Sequence, residues 1–290
     1  MPEASRAEAP LKLVREAIAR SAVIDALGAL ITLVDGTTPA TPAGRIALGF
    51  DTNALFRVAG GKRGADVVDY LAGPFPGQLI LPGQVIQEVW NNQMSGLSPT
   101  AKSLHKKFEE LEEEALKLDE RFGALGDSIR QQIVELVAVH SRTFDPDALK
   151  SFRGLLGIMQ TKADIPFVPR DSFHDLGIVR RATKTPPGFK DTGLGDFFVW
   201  ADFLLGVGRA QMDAPLAAVV FVTMDQKADW SRDGSPHPIL QAEAEFVAKA
   251  PFSLWALSDL YKFVDSESGS DAARSEARTR GAVAEQSEGS

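Results

Sequence analysis

Two kinds of hydrophobic pattern alternate along this chain. Continuous apolar runs at Ile46–Phe50, Gln78–Leu81 and Ala217–Thr223 predict short strands, because an unbroken run marks a strand covered on both faces, as in a parallel sheet. Phe252–Trp255 predicts a final edge strand. Helical spacing fills the intervals: Pro10–Val34 fits one or two helices, and Ala54–Leu71 a helix broken at Gly60-Gly61-Lys62-Arg63-Gly64. Pro82–Gln93 starts with a proline suited to a first turn, and Pro238–Lys249 precedes a short helix ending near Val264. The clearest period is Leu104, Phe108, Leu111, Ala115, Leu118, Phe122 and Leu125, a heptad seam. With a further helix over Pro146–Gln160 it predicts a helical insertion at about residues 98–160, carrying Glu109, Glu110, Glu112, Glu113 and Glu114 on a solvated face or an acidic interaction arm.

Strands alternating with helices predict an α/β fold around a central parallel sheet. Ligands of such sheets sit beyond the carboxyl ends of the strands, and acidic residues stand there. Asp51 ends the first strand, and Asp225 follows the third, with Asp229 one helical turn on. Asp196 opens the apolar segment Phe197, Phe198, Trp200, Ala201, Leu204, Leu205, which places it in a first helical turn, and Glu88 lies in the helix after the second strand. Residues 163–192, rich in Pro, Gly, Lys and Arg, read as a basic, loop-rich segment; its Arg170, Arg180, Arg181, Lys184 and Lys190 would border the acidic pocket where a nucleic-acid backbone needs to be held. Lys62 and Arg63 are expected near the same edge as phosphate contacts or as a solvated turn.

FDTN (50–53), QEVW (87–90), PPGFKDTGLGDFFVW (186–200) and VFVTMDQKADW (220–230), in this order, resemble the PIN-like domains, the PilT N-terminus superfamily of metal-dependent nucleases, in a branch with a long helical insertion. The resemblance covers roughly residues 46–262, and Met224 stands where this branch often carries another acidic residue. It implies a three-layer α/β/α fold and a metal-dependent endoribonuclease, with a structure-specific DNA nuclease or a non-catalytic scaffold as alternatives. Crowded carboxylates raise one another's pKa unless a cation neutralises them, and Mg2+ or Mn2+ suits oxygen donors. Two such ions, about 3.5 to 4 Å apart, activate water and stabilise an in-line phosphodiester displacement. On this reading Asp51, Asp196 and Asp225 are inner ligands, and Glu88 and Asp229 complete the cluster directly or through water. Asn53 and Thr223 orient ligands, Lys190 and Lys227 contact phosphate, and Asp191 either joins the cluster or caps the loop before the helix. Trp200 and Trp230 read as core.

Composition narrows the partners. Of the 290 residues none is cysteine and the four histidines are scattered, which excludes disulfides and thiolate zinc sites. A formal net charge of −8 argues against holding duplex nucleic acid by bulk electrostatics, though not against an RNA substrate met by local basic patches. Val23–Val34 is too short to span a bilayer and contains Asp25, so a cytoplasmic protein is expected. The domain reading is a helical extension over 1–45, a nuclease domain over 46–264 and a disordered tail from Asp265, poor in large apolar residues. The helical insertion offers a surface for a homodimer or a protein partner.

Overall fold

The computed structural model describes residues 3–20, 25–35, 44–73, 75–92, 110, 128, 131–132, 146–224, 228–232 and 234–267. Strands β1 (Ile46–Phe50), β2 (Gln78–Ile80), β3 (Ala163–Asp164), β4 (Ala218–Val222) and β7 (Phe252–Trp255) form one 5-stranded sheet in the order β3-β2-β1-β4-β7. All its pairings are parallel. Every residue of β1 and β4 is buried. Because successive strand side chains point to opposite faces, both faces of the sheet are covered, and the α/β expectation is met.

Two groups of helices provide the cover. Helices α3 (Thr52–Gly60), α4 (Gly64–Ala72) and α6 (Pro146–Lys162) pack on one another; α1 (Glu3–Ala19), α2 (Ala26–Asp35), α8 (Gly195–Asp213) and α9 (Pro238–Ala248) make the second group. Val14, Ala17 and Ile18 of α1 belong to the same core as β1 and β4. Between β2 and the residues outside the description lies α5 (Gly83–Asn92), between β3 and α8 lies α7 (Arg170–Ala182), and a last helix covers residues 257–267. A small antiparallel pair, β5 (Ser231–Arg232) with β6 (Ser235–Pro236), turns at Gly234 and leads into α9.

Several expectations change. Residues 163–192 keep loops at 165–169 and 183–192, but β3 adds an edge strand and α7 a helix that were not expected. Proline before the helix, with Phe173, Gly177 and Arg180 buried on one face, is a helical spacing that the many charges obscured. The expected helix at 146–160 runs to Lys162 and buries Leu155 and Met159. Residues 265–267 continue the last helix, and Asp265 pairs with Arg63. The remainder of the expected tail and the seam from Leu104 to Leu125 lie outside the described residues. Lys62 and Arg63 are not at the carboxyl edge, since α3 carries the chain roughly 13 Å away from Asp51 at 1.5 Å per residue. There Arg63 bonds Asp66 and Asp265 and lies over Tyr261.

Gly49 sets how closely α8 approaches the sheet. A Cβ there would lie 2.5 Å from Phe203 Cε2, and that ring is held by Trp200, Phe221 and Phe252. Gly49→Ala is expected to destabilise by about 1–3 kcal/mol through overpacking; a urea midpoint equal to wild type would contradict this.

Candidate active site at the carboxyl edge

The chain runs from β1 outward to β2 and β3, then returns to the other side of β1 for β4 and β7. The strand order therefore reverses between β1 and β4, and the crevice beyond their carboxyl ends is the favoured ligand position in an open parallel sheet. Register pairs Phe50 with Val222, so Asp51 and Thr223 leave the sheet side by side. Asp51 caps α3 in an extended conformation, accepting from the Ala54 N–H. Its other oxygen accepts from the Thr223 hydroxyl and, at 3.2 Å, from the Met224 N–H. Asp225 and Lys227 lie outside the described residues.

Glu88 reaches the same edge because α5 is pinned at its start. The buried carboxylate of Asp202 accepts from the Gln84 and Val168 N–H groups, each at 2.8 Å, and receives the Arg170 guanidinium in a two-pronged bond at 2.8 and 2.7 Å. The Gln84 N–H is one of the donors a helix start leaves unsatisfied. One turn later Glu88 accepts from the Thr52 hydroxyl at 2.5 Å. Its other oxygen would be 3.1 Å from a Cβ placed on Gly195, so glycine before Asp196 lets the carboxylate approach the start of α8.

Asp196 stands in the first turn of α8. The far end of that helix is tied to the opposite end of the sheet, where Arg45, just before β1, donates to the Ala210 and Ala214 carbonyls at 2.9 and 2.6 Å. The start of α8 consequently lies at the carboxyl edge. Trp230 Nε1 donates to Asp196 Oδ2 at 3.1 Å. Asp51, Glu88 and Asp196 are thus carried to one edge of the sheet by three elements.

Behind Asp196 is a loop held by buried charge. Arg180 donates to Glu243 at 2.5 Å and to the Pro186 carbonyl, and Trp200 Nε1 donates to Glu243 at 2.8 Å. Gly188, at φ +76°, donates its N–H at 3.0 Å to Asp229, which is fully buried. Asp229 stands in a turn formed by residues 228–230. Its Oδ1 has no hydrogen-bond partner among the described residues. Burial is the main effect lowering the His237 pKa; the charge of Asp229 opposes it and Arg180 reinforces it. A neutral imidazole keeps Nδ1 as the acceptor of the Ile239 N–H at the start of α9.

The basic border differs from expectation. Arg170 and Arg180 are bonded to Asp202 and Glu243 rather than turned toward a substrate, and Arg181 donates to the Thr192 carbonyl. Lys184 and Lys190 are exposed. Asn53 is exposed while its neighbour Thr52 makes the bond to Glu88. Asp191 is half-buried and its N–H donates to the Gly188 carbonyl. Trp200 and Trp230 are core residues as expected, but Trp230 also reaches the site. Sequence reasoning missed Thr52, Asp202 and Glu243; single carboxylates inside the otherwise apolar stretches WADFLL and AEA were the available signal that the last two are buried and paired.

Asp51, Glu88 and Asp196 offer only oxygen donors, a set suited to a hard divalent ion. Each also accepts from a neutral hydroxyl, amide or indole donor, which orients a carboxylate without cancelling its charge. Among the described residues no group of three or more His, Asp or Glu side chains could hold a metal ion, and Asp225, the fourth acidic residue expected at this edge, lies outside them. No helix of the described residues is long and apolar enough to cross a membrane. No curated protein and no solved structure matches the chain. A family model described as PIN like domain matches residues 171–243, from α7 into α9, a span that contains Asp196, Thr223, Asp225, Asp229 and Trp230 and supports a PIN-like domain of nuclease-type fold.

Proposed function

We propose that the protein is a Mg2+- or Mn2+-dependent endoribonuclease whose site is built from Asp51, Glu88, Asp196 and Asp225. The observation that carries this reading is the meeting of three acidic elements at the crevice between β1 and β4, linked through Thr223 to Asp51, Thr52 to Glu88, and Glu88 to Gly195. The family match over residues 171–243 supports the nucleic-acid class of substrate. A bound divalent ion would supply activated water and neutralise the charge developing on the phosphoryl oxygens. Asp51, Glu88, Asp196 and Asp225 would hold it, and the hydroxyls of Thr52 and Thr223 would keep two of those carboxylates in one orientation. Lys190 and Lys227 would meet the substrate phosphates.

Incubating the full chain with end-labelled single-stranded and hairpin RNA, and with the same sequences as DNA, tests this directly. Internal cleavage of RNA with Mn2+ and none with EDTA is expected. Cleavage of DNA alone would make the protein a DNA nuclease of the same fold, and Mn2+ binding without cleavage of either polymer would favour a non-catalytic scaffold.

A further inference from the structure

We propose that Asp229 and Trp230 form a positioning pair that aims the Asp196 carboxylate, with Asp229 acting through the loop at Gly188 rather than by touching the metal ion. The proposal rests on the metal-dependent reading above and assigns these two residues a role within it.

The geometry divides the work between two neighbours in sequence. The Trp230 ring is almost fully buried, stacked on Phe221 at 5.5 Å and 9°, and edge-on to Trp200 at 6.1 Å. A ring held on both sides cannot follow a moving partner. Its N–H, the one polar atom a buried indole must satisfy, is given to Asp196 Oδ2. A second constraint on Asp196 is backbone: a Cβ on Gly188 would lie 2.7 Å from the Asp196 Cβ. Gly188 is in turn fastened by its N–H to Asp229 and, through the neighbouring Pro186 carbonyl, by Arg180. Asp196 is therefore confined between a fixed ring and a fixed turn. One Asp229 oxygen is engaged by Gly188, and Oδ1 is the atom a direct role would use. Partners that orient a ligand typically change metal affinity by roughly tenfold to a hundredfold when removed.

Isothermal titration of the full chain with Mn2+ tests the pair. Trp230→Phe keeps the stacked ring and deletes only the donor; it is expected to weaken Mn2+ binding about tenfold. In an Asp196→Asn background the same change should add nothing, since its effect passes through Asp196. Asp229→Ala removes the acceptor of the Gly188 N–H and should weaken Mn2+ binding about tenfold, whereas Asp229→Asn, which still presents an oxygen there, should recover most of that loss. Should Trp230→Phe fail to fold, Gly188→Ala, which crowds Asp196 from the other side, should give the same loss. Unchanged Mn2+ affinity in Trp230→Phe, or a full additional effect in the Asp196→Asn background, overturns the proposal. So does an Asp229→Asn protein that binds as poorly as Asp196→Asn, because Asp229 would then be a ligand. A wild-type protein that does not bind Mn2+ rejects the metal-dependent reading itself, and with it the pair; the variants discriminate only when wild type binds.

Discussion

Asp196→Asn is expected to lower RNA cleavage on the order of a hundredfold to a thousandfold, the scale of losing one preorganised electrostatic contact in the transition state. Folding should survive. The side chain keeps its shape, the Trp230 indole can donate to an amide oxygen as it does to Oδ2, and removing one anion from a group of carboxylates relieves their mutual repulsion. The metal-free variant should therefore melt close to wild type. Its response to metal should not survive: an ion that binds only the folded state stabilises by mass action, and a variant short of a ligand loses most of that increment. Thermal melts in EDTA and in Mn2+ read both effects at once, and Asp225→Asn should behave alike. If Asp196 were only a favourable charge in the first turn of α8, the substitution would cost about 0.3–1 kcal/mol and leave the Mn2+ response intact, which would remove it from the site.

The second large effect concerns stability. Glu243→Met leaves the Arg180 guanidinium buried without its counter-ion and the Trp200 indole without its acceptor. Both ion-pair side chains are almost wholly removed from solvent, so the cost should be about 3–5 kcal/mol, the range for breaking a buried pair from one side. Set against a total stability of about 5–15 kcal/mol, that shift should be plain in a urea titration. Replacing both partners, Arg180→Met with Glu243→Met, should recover part of the loss, because no uncompensated charge then remains inside. A single substitution costing less than about 1 kcal/mol would mean that water reaches the pair. Cleavage should also fall in the single variant, since Arg180 holds the Pro186 carbonyl and with it the loop against Asp196.

The sequence by itself determined the parallel sheet, save its edge strand β3, and the positions of Asp51, Glu88 and Asp196 along the elements. IALGF and AVVFV are apolar at every position, and a strand with no polar face has nowhere to go but the middle of a covered parallel sheet. Asp51 was legible because it follows directly from such a strand, Asp196 because it opens a helix, and Glu88 because it lies in the helix after the second strand. Period and punctuation are local properties, readable within a dozen residues. The tertiary structure alone decided what those carboxylates touch. Thr52 rather than Asn53 meets Glu88 because α5 crosses the edge at a height fixed by Asp202. Arg170 and Arg180, which read as a basic border, are turned inward by acidic residues 32 and 63 positions away. Hydrogen-bond partners so far apart are brought together by packing two helices on one sheet, and no spacing along the chain encodes that encounter. Trp230 is the clearest instance: its size marks it as core, but only the position of α8 beside the β5–β6 turn puts its N–H against Asp196.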